Sequence, residues 1–252
     1  MPAKLYLQFN LALSFLTVFK LPEWRSAPFD PRNLAASFLF FPLVGALLGS
    51  IAVALVVFGS AHLGPLPLAA WLVACWSALT RGLHLDGLAD CADGFGGAYE
   101  PVKRLLIMKD SRVGAFGVIA LGLDLLLKTS LIAALIEQHQ PGAMFIAPCL
   151  SRLAMVLCAV NSHYARAEGG LGQPFLDHLS RRDWLGASVL GLVPVILASG
   201  LQAIPQILVL VLVVVLVRWL SLRALGGITG DVLGATNELA EIASLTCALW
   251  LN

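Results

Sequence analysis

Charge is what this chain is short of. Only 12% of its 252 residues are Asp, Glu, Lys or Arg, against 59% hydrophobic, where soluble domains carry about 25% charged residues. A soluble globule needs a charged surface, so the deficit excludes a large water-soluble core and requires apolar surface turned toward lipid. Neither sign dominates. Sixteen Lys and Arg face 15 Asp and Glu, a net +1, which leaves no electrostatic basis for nucleic-acid binding. Cysteines are few and unpaired: Cys75, Cys91, Cys149, Cys158 and Cys247 form no C-x-x-C, and four of the five lie in apolar segments. That argues against a disulfide framework or a zinc site and reads as small buried hydrophobes. No P-loop occurs, so no ATPase-type site is suggested. The N-terminus has no basic run leading into an apolar stretch with a small-residue cleavage site, so no removable signal peptide is expected.

Apolar sequence is what is present in quantity. Leu5–Phe19 mixes large apolar residues with Gln8, Asn10, Ser14 and Thr17. Its apolar run is too short to cross, which predicts an interfacial or re-entrant N-terminal helix ended by Leu21-Pro22. Leu34–Phe58 is the first span, 25 uncharged residues, roughly 38 Å at 1.5 Å per residue, with Pro42 and Gly45 placed to kink it. Leu66–Thr80 begins the second span and runs straight into the polar stretch 81–97. Val113–Ile136, Ala143–Val160, Leu185–Ile204 and Gln206–Leu220 follow. After a glycine-rich connection, Gly226–Asn237, a short seventh segment covers Leu239–Leu251. The expected fold is all-α: a polytopic transmembrane helical bundle of about seven spans, one integral-membrane domain over residues 1–252.

Lys and Arg test that count, because cytoplasmic loops collect them. Lys4, Lys20, Arg25 and Arg32 precede the first span. Arg81, Lys103, Arg104, Lys109 and Arg112 follow the second, Arg166, Arg181 and Arg182 the fourth, and Arg218 and Arg223 close the sixth. The connections around 59–65, 137–142 and 201–205 have none. Seven spans put every basic loop on one side. The N-terminus and the loops 81–112, 161–183 and 223–238 are therefore expected in the cytoplasm, with the chain in a bacterial inner membrane.

The polar motifs lie on that same side. In His84-Leu85-Asp86-Gly87-Leu88-Ala89-Asp90-Cys91-Ala92-Asp93-Gly94 the carboxylates are spaced i, i+4 and i+7, so a helix carries Asp86, Asp90 and Asp93 on one face. Like charges so placed repel, and a divalent cation is the simplest neutraliser. Hard Mg²⁺ takes oxygen ligands, typically one or two carboxylates plus substrate phosphates. The bland reading is a solvated turn at a helix end. His84 either orients a ligand or is an interfacial structural residue. Lys109, Asp110, Ser111 and Arg112, leading into glycines at a helix N-terminus, form a candidate phosphate site; membrane anchoring by the two cations is the alternative. Asp110 is a further ligand or their counterion.

The glycine-rich stretch contributes Thr229, Gly230, Asp231, Glu238 and Glu241. It reads either as a phosphate loop or as a flexible connection to a helix capped by Asn237. Glu241 enters an apolar segment, and intramembrane carboxylates are functional candidates. Arg152, near the middle of the fourth span, should face the bundle and pair with an acid or an anionic substrate. Asp124 and Lys128, i and i+4, read as a local structural pair. Carboxylates for a divalent ion, with basic clamps at a membrane face, are the parts needed for phosphoryl transfer.

Three stretches carry a resemblance: the run from His84 to Gly94, Lys109-Asp110-Ser111-Arg112-Val113-Gly114-Ala115-Phe116-Gly117, and Gly227-Ile228-Thr229-Gly230-Asp231-Val232-Leu233-Gly234-Ala235. In this order they resemble the cobalamin synthase family, formally adenosylcobinamide-GDP ribazoletransferase, over nearly the whole chain. The resemblance implies an integral-membrane, Mg²⁺-dependent enzyme of late cobalamin synthesis. It would join adenosylcobinamide-GDP to α-ribazole or its 5′-phosphate and release GMP. It implies Mg²⁺ on Asp86, Asp90 and Asp93, phosphate charge on Lys109 and Arg112, and Asp231 completing the metal site unless one acid serves as general base. Oligomeric state stays open, a homo-oligomer included. Two other readings stand beside this one. Asp90-Cys91-Ala92-Asp93-Gly94 matches the opening of the CDP-alcohol phosphotransferases, which make lipids, but the sequence then departs at Gly97-Ala98 and lacks their later paired acids. An ion-coupled transporter would use Asp124, Arg152 and Glu241 at mid-membrane, yet the densest cluster sits at the boundary and no repeat is visible.

Overall fold

A computed structural model describes residues 2–22, 30–170 and 172–251; Arg25 of the basic N-terminal region lies outside them. Twelve α-helices occur among the described residues: α1 Pro2–Leu16, α2 Pro31–Ala36, α3 Phe41–Gly59, α4 Pro65–Leu79, α5 Leu83–Gly97, α6 Pro101–Ile107, α7 Ala115–Glu137, α8 Gly142–Ala159, α9 Gln173–His178, α10 Arg181–Ser199, α11 Ala203–Leu225 and α12 Gly230–Trp250. The all-α class is borne out. Four helical stretches are long and apolar enough to cross a membrane, or five when α4 and α5 are counted as one broken span.

The bundle is built around α8. From Ala143 to Ala159 only Phe145 and Leu157 are not buried. Helix α3 lies against it through Gly45 and Gly49, spaced as G-x-x-x-G; a Cβ on Gly49 would stand 2.7 Å from the Phe145 Cα, so small residues set this close approach. The outward faces stay apolar, with Leu126, Leu197, Leu201 and Leu208 all exposed, as a lipid-facing surface requires.

Three boundaries differ from the sequence reading. Pro42 does not kink the first span; it sits in the first turn of α3, where a missing N–H costs nothing. Before it, Ser37–Phe40 is a 3₁₀ turn. The second span does not run straight into the acidic stretch, because α4 and α5 meet at 89°. Arg81 (φ 56°) and Gly82 (φ 65°) are both left-handed there, with Gly82 N donating to Ser77 O and Arg81 N to Ala78 O. That is a Schellman stop, which places a non-glycine residue in a strained region; the Arg81 guanidinium is held by Ser14 O at 3.0 Å. Finally, most of the connection Gly226–Asn237 is helix. Thr229, not Asn237, caps α12, its hydroxyl accepting from Val232 N at 3.2 Å. Helix α1 ends at Leu16, and Asn10 fastens the chain beyond it by accepting from Leu21 N and donating to Leu21 O.

Candidate active site

Two helices make the site. Helix α5 leaves the end of α4 at a right angle and crosses the first turn of α12. A Cβ on Gly87 would stand 2.7 Å from Asp231 O, and Gly234 packs on the His84 backbone, so glycine on each helix permits the crossing. The consequence is electrostatic: Asp90 feels the charges of Asp231, Asp86, Arg166 and Asp93 together. Asp231 accepts from Arg166 Nη2 at 2.6 Å and from the Thr229 hydroxyl at 3.3 Å. Arg166 reaches it from the 161–172 connection, which is strapped to the start of α12 by a parallel bridge between Tyr164 and Ile228. Burial and the nearby Asp231 and Asp86 carboxylates push the Asp90 carboxyl up to about 7, so with one guanidinium among three carboxyl groups the cluster keeps a surplus of one to two negative charges near neutral pH.

Asp93 is on the same face of α5 but has its own task. Its carboxylate accepts from Gly114 N at 2.7 Å and from Gly117 N at 2.8 Å, satisfying orphan amides at the start of α7. The helix N-terminus read from sequence as an anion site thus takes the chain's own anion. Space explains the glycines: a Cβ on Gly114 would stand 2.5 Å from Asp93 Oδ1, and one on Gly117 would overlap Oδ2. Gly117→Ala is expected to push Asp93 off the α7 amides at a cost of about 0.5–2 kcal/mol, the range for a lost cap. Faster hydrogen exchange at residues 114–118 would report it; unchanged protection there would refute the capping role.

The remaining basic motif is solvent-facing. Arg112 pairs with Asp110 at 2.6 Å, a hydrogen-bonded contact that pulls the Asp110 carboxyl down to about 2. Lys109 pairs with Glu168 and lowers that carboxyl likewise. Both cations thus have local partners, and Ser111 is exposed beside them. Among the described residues, no three His, Cys, Asp or Glu side chains are placed to hold a metal ion by themselves.

A second polar cluster lies in the bundle interior. Lys128 pairs with Glu238, with Glu241 at 2.7 Å and with Asp124 at 3.4 Å, while Arg152 pairs with Glu241. Lys128 and Asp124 are i, i+4 neighbours, but two acids on α12 share the lysine. Arg152, Glu238 and Glu241, candidates for phosphate contact on sequence grounds, are engaged with one another or with Lys128. His84, 1% exposed, has its Nδ1 3.9 Å from Glu238, so α5 touches this network from the site side.

The sequence model described as Cobalamin-5-phosphate synthase matches residues 8–249. The chain belongs to that family. Relatives named adenosylcobinamide-GDP ribazoletransferase include one from Syntrophobacter fumaroxidans, 46% identical over 240 residues (95% of this chain, 97% of that one). Others come from Pseudomonas fluorescens strain SBW25, 41% identical over 242 residues (95% and 98%), and Chlorobaculum parvum, 40% identical over 248 residues (96% and 94%). No solved structure matches. The three motifs that carry the family resemblance converge here at one end of the bundle. Sequence reasoning missed Arg166 as the partner of Asp231, since a lone arginine in a polar loop carries no spacing signal. It also missed Lys128 as the hub of the interior cluster, because its acids on α12 are 110 and more positions away.

Proposed function

We propose that the chain joins adenosylcobinamide-GDP to α-ribazole or its 5′-phosphate, giving adenosylcobalamin or its 5′-phosphate and GMP, with Mg²⁺ at the site. The observation that carries this is the meeting of Asp86, Asp90 and Asp231 from two motifs beside a single arginine. An all-oxygen donor set with surplus negative charge fits a hard divalent cation, and Mg²⁺ needs only one or two carboxylates when a substrate diphosphate supplies the rest. One or two of Asp86, Asp90 and Asp231 would hold it. When bound, the ion would supply charge neutralisation for the diphosphate. Arg166, placed against Asp231, keeps that carboxylate oriented. The acceptor's ribose hydroxyl attacks the cobinamide-side phosphorus, its proton passes to a carboxylate or water, and GMP leaves. Thr229 and Gly230 serve by starting α12 at the correct place. Asp93 serves by fixing α5 to α7, which also brings Lys109 and Arg112 to the rim, where they can exchange local partners for substrate phosphate.

The same reading places the site in the cytoplasm, at the inner membrane of a bacterium, with seven passes: α3, α4, α7, α8, α10, α11 and α12. The helical stretch 181–225 counts twice because Gly200 (φ 55°) interrupts it and both halves lie along α8. Gly191 of α10 meets Cys149, and Arg218 of α11 donates to Val160 O at 2.5 Å. Helix α5 then lies along the membrane boundary, as its bend and its three aspartates favour.

Purified protein in lipid nanodiscs is expected to release GMP from adenosylcobinamide-GDP only when α-ribazole or its phosphate is present. EDTA should abolish release and added Mg²⁺ restore it. Release unaffected by exhaustive chelation would refute the metal; no release with either acceptor would refute the reaction.

A further inference from the structure

A partly open cavity of about 180 Å³ adjoins the carboxylates, bounded by α1, the Ser37–Phe40 turn, α9 and the α5–α12 crossing. Phe15, Phe38, Phe41, Phe175 and Met155 line it. Phe15 is half-buried at its edge, and behind it lies an interlocked set of buried rings: Phe38 stacks on Phe175 at 4.4 Å and meets Phe41 edge-on at 4.5 Å. Among the polar groups at the cavity are His84, Asp86 and Asp231. Neither ring nitrogen of His84 has a hydrogen-bond partner, although the side chain is buried. A neutral imidazole carries one donor and one acceptor, so a buried donor here waits for a partner.

We propose that this cavity is the subsite for the acceptor nucleoside's base, a flat, largely apolar nitrogen heterocycle, with His84 hydrogen-bonded to its ring nitrogen and the ribose directed at Asp86 and Asp231. This rests on the reaction proposed above. Size excludes the corrinoid: engineered cavities of about 150 Å³ hold benzene, and this one admits a small fused ring system. The apolar part of the lining favours a base with few polar atoms over guanine, whose several donors and acceptors would be only partly paired there. A base with few polar atoms loses little there and gains apolar and aromatic contact, with Phe15 at the edge of the ring cluster. With the base seated deep, the sugar hydroxyl lies at the mouth, on the side of the carboxylates that would hold the diphosphate.

A photoreactive azido-benzimidazole ribonucleoside tests the wild-type protein directly. Labelling is expected in the peptides carrying Met155 and Phe175 and should be lost on adding α-ribazole. Labelling elsewhere, or labelling that lipid displaces and α-ribazole does not, overturns the proposal. Kinetics supply a second measurement. Leu233→Phe, which fills the cavity, and Phe175→Ala, which removes a wall, should each raise KM for α-ribazole at least tenfold while KM for adenosylcobinamide-GDP stays within twofold. A rise confined to adenosylcobinamide-GDP, or no rise in either variant, overturns the assignment. If wild-type protein releases no GMP at all, the reaction fails; competition between the label and α-ribazole still decides whether the cavity binds the base.

Discussion

Asp231→Asn should lower metal-dependent GMP release by more than about 100-fold, because even outer partners of a metal site cost 10–100-fold when removed. The substitution keeps the volume and the neutral hydrogen-bonding capacity of the side chain, so the fold has little reason to change. Thr229 still caps α12 through Val232 N, and the glycine crossing at Gly87 involves the Asp231 backbone, not its carboxylate. What disappears is one carboxylate charge, and with it the charge assistance of the Arg166 contact at 2.6 Å; the amide oxygen can still accept. The loss therefore separates chemistry from folding. A variant that remains helical and monodisperse but needs far more Mg²⁺ for half-maximal rate supports a metal on these carboxylates. Near-normal turnover at unchanged Mg²⁺ demand would remove Asp231 from the site. Asp93 behaves differently in principle. Both its oxygens already accept from α7 amides, so its replacement loosens the joint between two helices before it touches any ion.

The spacing of Asp86, Asp90 and Asp93 was legible because helix periodicity is local: three positions at i, i+4 and i+7 share a face whatever surrounds them. The apolar runs were legible for the same reason, and five of the expected segments lie close to α3, α7, α8, α10 and α11. What could not be read locally was partnership. Asp93 was grouped with its neighbours on α5, yet its nearest donors lie 21 and 24 residues further on. The sharp turn before α5 depends on a left-handed Arg81, and arginine has no preference for that conformation that a sequence would advertise. The glycines of 226–234 suggested a loop, since glycine weakens a helix. In the fold Gly230 and Gly234 are helical, and Gly234 is small because the α5 backbone passes over it.

Lys128→Met is expected to destabilise the protein by about 3–5 kcal/mol, the usual cost of removing one partner from a buried ion pair. In the native chain Lys128 and Arg152 face Asp124, Glu238 and Glu241, two positive charges against three negative, all at most 4% exposed. Removing the lysine leaves one positive charge against three negative in an apolar interior. Hydration offers limited relief, because the adjoining cavity of about 20 Å³ has space for little more than one water molecule. Helices α7 and α12 would lose their principal polar tie, seen as a lower unfolding midpoint in detergent and less inserted protein. A double substitution discriminates between a charge effect and a packing effect. Lys128→Met with Glu238→Gln restores the native imbalance of one charge, so it should recover much of the stability. If the double variant is no better than the single one, the lysine acts by filling space and the pairing of charges is incidental. The outcome also bears on the site, since His84 of α5 has its Nδ1 3.9 Å from Glu238 and borders the same cavity as Asp86 and Asp231.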